Sequence, residues 1–464
     1  MALKSDTIAA VATALSDSGI GIIRVSGNEA ISIVDKIYKS KGKEKLTDYR
    51  SHTIHYGFIY DEGELVDEVM VSVFKAPRSY TTEDTVEINC HGGVLVVRRI
   101  LDLVIKKGAR ISEPGEFTKR AFLNGRIDLS RAEAVMDIIH AKNDFALKSS
   151  VKQIRGSLYS IIKKLRDEIL YEIAFIESAL DDPEHISLDG YQKKLLKKND
   201  SLIDRVNRLY LSADNGRLMK EGINTVILGK PNAGKSSLLN LLVGEEKAIV
   251  TDIAGTTRDV IEERISLSGI GLNIIDTAGI RKTEDVVEKI GVEKAKNYAL
   301  DADLIIYVVD SSVPLDDSDE EILNLIYNKK IIILLNKTDL ESVISEKFIA
   351  GYFINQEENI RIIKTSTKEG IGIDSLEESI KEMFFHGQIQ MNDEVVLTNL
   401  RQKDAVKDAL DSLMMVRKSL ENEMPEDFLS IDLMGAYSSL GLVIGEEVEE
   451  DVVNEIFSKF CMGK

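Results

Sequence analysis

The sequence predicts a chain of mixed class: an N-terminal α/β domain, then a second α/β domain inserted into an all-α domain that is discontinuous in sequence. Three observations carry this prediction. At 464 residues the chain is longer than one ordinary hydrophobic core organises. Residues 222–379 alternate short apolar strands with helical stretches, the pattern of a parallel sheet covered on both faces. Helical periodicity flanks that segment on both sides.

Taken in order, Gly21–Val25, Met70–Phe74 and Thr85–Asn89 are short β-rich runs, and Val94–Lys107 has helical spacing. Gly27, Pro77, Gly92, Gly93, Pro114 and Gly115 punctuate them as turns. From about residue 119 the pattern becomes helical. Ile162, Leu165, Ile169, Ile173, Ile176 and Leu180 recur at steps of three and four, as one face of an amphipathic helix. Asp181, Asp182 and Pro183 interrupt it, and Leu195, Leu202, Val206 and Leu209 mark a second helix. Strands follow at Asn224–Leu228, Leu272–Ile275, Leu304–Val309, Ile331–Leu335 and Arg361–Lys364. Val406, Leu410, Leu413, Val416 and Leu420 then return to one helical face. The expected division is 1–118, 119–218, 219–379 and 380–464, the second and fourth being parts of one helical domain.

Composition narrows the function classes. Hydrophobic content of 44% and charged content of 30% are those of a globular protein. No apolar run is expected to reach the roughly 18–20 residues of a membrane span, and the N-terminus has no signal-peptide pattern, so a cytoplasmic protein is expected. Two cysteines far apart, Cys90 and Cys461, give neither a disulfide framework nor zinc-ligand spacing. A net charge of −19 disfavours nonspecific nucleic-acid binding, so any RNA contact must be local or shared with a partner. The basic residues Lys142, Lys148, Lys152, Arg155, Lys163, Lys164 and Arg166 read as solvated helix faces.

The chemistry is concentrated in four motifs. Gly229–Ser236 reads GKPNAGKS, a full GxxxxGK[ST] between a strand and an apolar helix. In this P-loop the backbone of Asn232, Ala233 and Gly234 curls around phosphates at a helix N-terminus, with Ser237 following. Lys235 supplies positive charge to the β- and γ-phosphates, and the Ser236 hydroxyl is a candidate Mg²⁺ ligand. Asn336-Lys337-Thr338-Asp339, about 100 residues later at a strand end, selects the base. The Asp339 carboxylate can accept from the two adjacent donors of guanine, whereas adenine presents an acceptor there. Lys337 can lie along the ring plane, Asn336 can tie the loop down, and Thr365-Ser366-Thr367 is the expected backing loop. Asp276-Thr277-Ala278-Gly279 places a carboxylate toward Mg²⁺ and a backbone N–H toward the γ-phosphate. Thr256 and Thr257 form a candidate switch between these motifs. Ile280 stands where Ras-like enzymes carry a water-orienting glutamine, so hydrolysis needs another group; Glu288 is a candidate. The inserted domain is therefore expected to be a Ras-like P-loop G domain that hydrolyses GTP.

Together these motifs resemble the MnmE (TrmE) family of tRNA-modifying GTPases, and the likeness extends beyond them. GIGIIRVSG, SYTTEDTVEINCHGG and PGEFTKRAFLNGRIDLSRAEAV are similar to that family's folate-binding and hinge segments, and Cys461-Met462-Gly463-Lys464 to its terminal Cys-x-Gly-Lys. The resemblance implies potassium-stimulated hydrolysis, with Asn232, Thr251, Ile253 and Thr256 as K⁺ ligands, Ser236 and Thr257 on Mg²⁺, and Glu288 as the catalytic glutamate. It implies a tetrahydrofolate derivative, in the 5-formyl or 5,10-methylene form, held by Arg24, Glu83, Arg126 and Lys464 in a pocket shared by a homodimer. It implies Cys461 as a functional thiol, tRNA as substrate, and a flavoprotein partner of the MnmG kind carrying FAD and using NADH in a heterotetramer. The implied reaction adds a carboxymethylaminomethyl or aminomethyl group to carbon five of the wobble uridine. Two alternatives compete: a ribosome-assembly or signalling GTPase, expected to carry a basic appended domain, and a one-carbon transferase with a vestigial G domain. The acidic stretch Glu446–Asp451 disfavours the first and the intact G motifs the second.

Overall fold

The computed structural model describes residues 6–42, 44–244, 263–267, 269–275, 302–327, 329–354, 359–385, 396–446 and 448–463. The chain divides into two compact units: Met1–Met136 with Gln153–Asn199 and Asp408–Lys464, and Asp137–Lys152 with Asp200–Lys407.

The first unit opens with strands β1 (Ile8–Val11), β2 (Ser18–Ser26), β3 (Tyr38–Ser40), β4 (Thr53–Asp61), β5 (Glu64–Phe74), β6 (Thr85–Gly92) and β7 (Arg110–Ile111). They form one sheet in the order β3-β4-β5-β6-β2-β1-β7, antiparallel except for the β1–β7 pair. Helices α1 (Ala30–Asp35) and α2 (Val94–Lys106) supply Ile33, Val34, Val97, Ile100 and Val104 to a core that includes Ile23, Val71 and Ile88. Cys90 lies in this core, where burial pushes its thiol up to about 11. All three expected runs therefore extend into longer strands, and the sheet also recruits β1, β3, β4 and β7, which sequence reasoning did not mark.

Helices α3 (Glu116–Leu123) and α4 (Leu129–Ile139) follow, then α5 (Asp144–Ile154), α6 (Ser157–Asp181) and α7 (Tyr191–Glu221). The expected stripe on α6 is buried at Ile162, Leu165, Ile169, Ile173 and Ile176, whereas Leu180 is exposed. In the first unit α6 packs on a late helix, Glu426–Ile444 (α13 below). Gly441 permits this approach: a Cβ there would lie 3.1 Å from the Arg166 guanidinium. Arg166 is buried over the Tyr437 ring at 4.0 Å and pairs with Glu446, so it is not the solvated charge its sequence neighbourhood predicts.

The second unit holds β8 (Ile223–Leu228), α8 (Lys235–Gly244), β9 (Glu263–Leu267), β10 (Ile270–Ile274), β11 (Leu304–Asp310), α9 (Asp317–Ile326), β12 (Ile331–Asn336), α10 (Glu346–Ala350), β13 (Ile360–Lys364) and α11 (Ile373–Phe385). Its sheet runs β13-β12-β11-β8-β10-β9, all parallel except β9 against β10. Continuous apolar strands are needed because both faces are covered. Ile306, Val308, Ile332 and Leu334 face one cluster, while Ile305, Tyr307, Val309, Ile333 and Leu335 face the other. Helices α12 (Leu400–Glu421), α13 and α14 (Glu450–Ser458) complete the chain, which is thus a multidomain α/β and all-α protein. Among the described residues α13 is the one helix long and apolar enough, by length and composition alone, to cross a membrane; it carries Glu426, Asp427 and Asp432, and 44% of its apolar window is buried inside the protein.

Candidate functional site

In the second unit the loop between β8 and α8 is shaped by three left-handed residues, Gly229, Asn232 and Gly234, at φ of 146°, 62° and 108°. Gly229 must be glycine on two grounds, since an added Cβ would also sit 2.4 Å from the Val308 carbonyl oxygen. The Lys235 ammonium donates to the carbonyls of Gly229 and Lys230, both at 2.6 Å, and burial lowers its pKa. Ala233 is buried beneath the loop, while Asn232 and Ser237 are exposed and Ser236 is partly so.

The 336–339 loop leaves the end of β12 beside this turn. Asn336 is 1% exposed and joins three segments. Its Nδ2 donates to the Ala233 carbonyl at 2.8 Å and to Thr367 Oγ1 at 3.2 Å, and its Oδ1 accepts from the Thr367 amide at 3.0 Å. The expected tie is therefore a bond between base loop and P-loop. Thr338 donates through both N–H and Oγ1 to the Thr365 carbonyl, and Ser366 Oγ donates to Asp339 Oδ1 at 2.9 Å. Thr365-Ser366-Thr367 backs the loop in this way.

Five residues to which sequence reasoning gave no role belong to this neighbourhood. Asp310, at the end of β11, holds the Lys337 ammonium at 2.5 Å. Lys230, inside the P-loop, pairs with Asp316 at 2.6 Å and with Asp319. The buried Tyr307 hydroxyl donates to Asp319 at 2.6 Å, so this lysine is bound to the N-terminus of α9. Only the polar strand end of LIIYVVD and the carboxylate run DDSD could have pointed to these contacts. Thr251, Ile253, Thr256, Thr257, Asp276, Thr277, Ala278, Gly279, Ile280 and Glu288 lie outside the described residues. Of the implied cation ligands, the structure describes Asn232, in a left-handed turn, and Ser236, at the N-terminus of α8; both are oxygen donors suited to hard cations. Among the described residues no group of three or more His, Cys, Asp or Glu could hold a metal ion.

A second constellation lies in the first unit. Arg24 on β2 donates from Nε to Glu87 at 2.8 Å and from Nη1 to the Gly463 carbonyl at 2.9 Å. The anion that this strand arginine meets is thus Glu87. Its guanidinium lies 5.7 Å from the rings of both Tyr80 and Phe117, and Arg126 lies 4.9 Å from Tyr80. Glu83 accepts from Ser26 Oγ at 2.8 Å and from the buried Arg120 at 3.1 and 3.2 Å. Arg120 also binds Asp6 and Glu116, a network that sequence reasoning missed because Asp6 and Glu83 are 114 and 37 residues from Arg120 in the chain. The C-terminal segment is fastened here as well. The Gly115 amide donates to the Cys461 carbonyl at 3.3 Å, and Gly463 abuts the Val11 carbonyl. Cys461 is exposed, and Lys464 lies outside the described residues.

Comparison with known proteins places the whole chain in a family. A family model described as the MnmE helical domain matches residues 129–461, and one described as the GTP-binding protein TrmE N-terminus matches 7–126. A protein of Lachnoclostridium phytofermentans named tRNA modification GTPase MnmE is 58% identical over 100% of both chains. Proteins of the same name from Acetivibrio thermocellus and Alkaliphilus oremlandii are 49% and 47% identical, covering 99% of this chain and 100% and 99% of theirs. Among solved structures, the G domain of the T. maritima FeoB iron transporter matches at 28% identity over 35% of this chain and 98% of its own, with a TM-score of 0.26. On the full-length identities and the two family models, the chain belongs to the MnmE (TrmE) family of tRNA modification GTPases.

Proposed function

We propose that this chain is the GTP-hydrolysing subunit of a tRNA-modifying complex that adds a carboxymethylaminomethyl or aminomethyl group to carbon five of the wobble uridine, drawing the carbon from a tetrahydrofolate derivative. The observation that carries the folate part is the Arg24–Gly463 bond, which fastens the Cys461–Gly463 segment to β2, whose Arg24 and Ser26 also meet Tyr80 and Glu83 of the β5–β6 loop. An aromatic ring flanked by two guanidinium groups suits a flat heterocycle bearing carboxylates. Glu83, fixed by Ser26 and Arg120, supplies an acceptor for ring N–H groups. Arg24, Glu83, Arg126 and Lys464 would hold the ligand, and Cys461 is the thiol at hand.

In the G domain, Lys235 and the 229–234 amides bind phosphates, and Asp339 selects guanine. Ser236 and Thr257 would hold Mg²⁺, and Asn232, Thr251, Ile253 and Thr256 would hold K⁺; bound there, the cations offset charge that develops on the phosphates. Glu288 would position water, in place of the glutamine that Ile280 replaces. Hydrolysis then drives a conformational switch rather than the carbon chemistry. A homodimer, a flavoprotein partner carrying FAD and using NADH, tRNA as substrate and a cytoplasmic location complete the proposal.

The test is titration of the purified full-length protein with 5-formyltetrahydrofolate. Saturable binding that Glu83→Gln and Arg24→Ala each weaken about tenfold or more is expected. Wild-type affinity in both variants would refute the folate site and leave the GTPase assignment standing.

A further inference from the structure

The pair formed by Asp310 and Lys337 has geometry that the motif alone does not explain. Asp310 ends β11 directly beside Asn336 in the parallel register, so its side chain emerges at the sheet edge from which the base loop departs. One carboxylate oxygen, Oδ1, accepts from the Ser312 amide at 3.0 Å and the Ser312 hydroxyl at 2.6 Å. That fixes the carboxylate and aims Oδ2 at Lys337 Nζ, 2.5 Å away. Asp310 is thus held on one side and holds on the other.

Two properties of Lys337 give this bond its consequence. Its φ of 64° lies in the left-handed region, which a non-glycine residue adopts only when its surroundings dictate it. It also stands two residues from Asp339, whose carboxylate must remain available to the base. A lysine ammonium on a flexible stem would otherwise be drawn to that carboxylate. Asp339 instead keeps a hydroxyl partner, Ser366, and a distant cation, Lys368, at 3.9 Å with 82% of its side chain exposed.

We propose that Asp310 is a positioning residue for guanine recognition: it anchors the Lys337 ammonium along the base site and keeps it off Asp339. This rests on reading Asn336–Asp339 as the base site. The Lys337 side chain is one-third exposed, and partly exposed ion pairs contribute little to fold stability. Loss of this one should therefore register in nucleotide affinity and not in thermal stability.

The experiment is fluorescent GDP titration and GTP turnover on the full-length protein, with Asp310→Ala, Asp310→Asn, Asp310→Glu, Lys337→Ala and the Asp310→Ala/Lys337→Ala double variant. Asp310→Ala should weaken GDP and GTP alike by about tenfold, with the loss appearing in KM more than in kcat. Asp310→Asn, which keeps the shape and removes the charge, should behave similarly, and Asp310→Glu should recover most of the affinity. The double variant should bind no more weakly than Lys337→Ala, because both changes remove one interaction. The proposal is overturned if Asp310→Ala and Asp310→Asn bind GDP as wild type while Lys337→Ala binds it poorly, or if the two losses multiply in the double variant. Wild-type affinity in Lys337→Ala would bring down the base-site reading, and the Asp310 proposal with it.

Discussion

Replacing Asn336 by alanine removes a side chain that ties the P-loop, the base loop and its backing segment together. Two groups lose good partners: the Ala233 carbonyl, bound at 2.8 Å, and the Thr367 amide, bound at 3.0 Å. A weaker bond to Thr367 Oγ1 at 3.2 Å goes with them. Because Asn336 is 1% exposed, water does not simply take its place. Leaving a buried polar group unpaired costs about 1–3 kcal/mol, so the two together are worth roughly 3 kcal/mol. Part of this appears as lost stability of the free protein. The remainder appears in binding, because nucleotide must then order two loops that were previously ordered together. If about half falls on binding, GDP affinity drops on the order of tenfold. GDP and GTP should suffer equally, since both carry the same base and the same α- and β-phosphates. Fluorescent GDP titration and thermal denaturation of the same preparation measure both parts. Asn336→Asp should be at least as harmful, because it turns an oxygen toward the Ala233 carbonyl. GDP affinity within twofold of wild type in both variants, at unchanged Tm, would refute the reasoning.

Other expectations follow from the same geometry. Asp339→Asn should shift preference from guanine toward xanthine nucleotides, read by competition binding; unchanged GTP selectivity would contradict the base assignment. Replacing K⁺ by Na⁺ should slow GTP turnover, and equal rates in the two salts would remove the cation role of Asn232. The Asp6, Arg110, Glu116 and Arg120 cluster should confer acid sensitivity. The Arg110 hydrogen bond depresses Asp6, and Glu116, although raised by burial, is brought below its ordinary value by Arg110, the Glu113 amide and Arg120. Depressed carboxylates stabilise the fold above their unfolded pKa of about 4, and that stability is lost as pH falls through the lower folded values. Tm should therefore decline below about pH 4 with a shallower slope in Arg110→Ala, and identical pH profiles would exclude the cluster as the cause.

The sequence was most legible where local pattern and long-range packing agree. Strand β12 is apolar from Ile331 through Leu335 because both faces are buried, and the P-loop carries Gly229 and Gly234 where φ is 146° and 108°. It was least legible where a polar side chain finds a partner far along the chain. Arg120 looks like an ordinary helix arginine, yet it is 3% exposed and meets carboxylates 37 and 114 residues away. Lys230 is an unremarkable P-loop position until α9 brings Asp316 and Asp319 to it. Strand β1 is short and rich in alanine, and it exists because β2 and β7 pair with it on either side. Arg166 was grouped with solvated cations because spacing does not reveal a glycine, Gly441, on a helix 275 residues later. The pairing of Asn336 with Ala233 follows from the strand order of the sheet, which the motifs imply only when taken together.

On the proposed function, guanine-nucleotide turnover by this chain serves modification of tRNA. The most direct measurement is nucleoside analysis of wobble uridines in tRNA from cells lacking the chain, complemented with wild type or with Asn336→Ala. Loss of the carbon-five substituent, its return with wild type, and little or no return with the variant are expected if turnover serves modification. Fully modified wobble uridines in cells lacking the chain would contradict it.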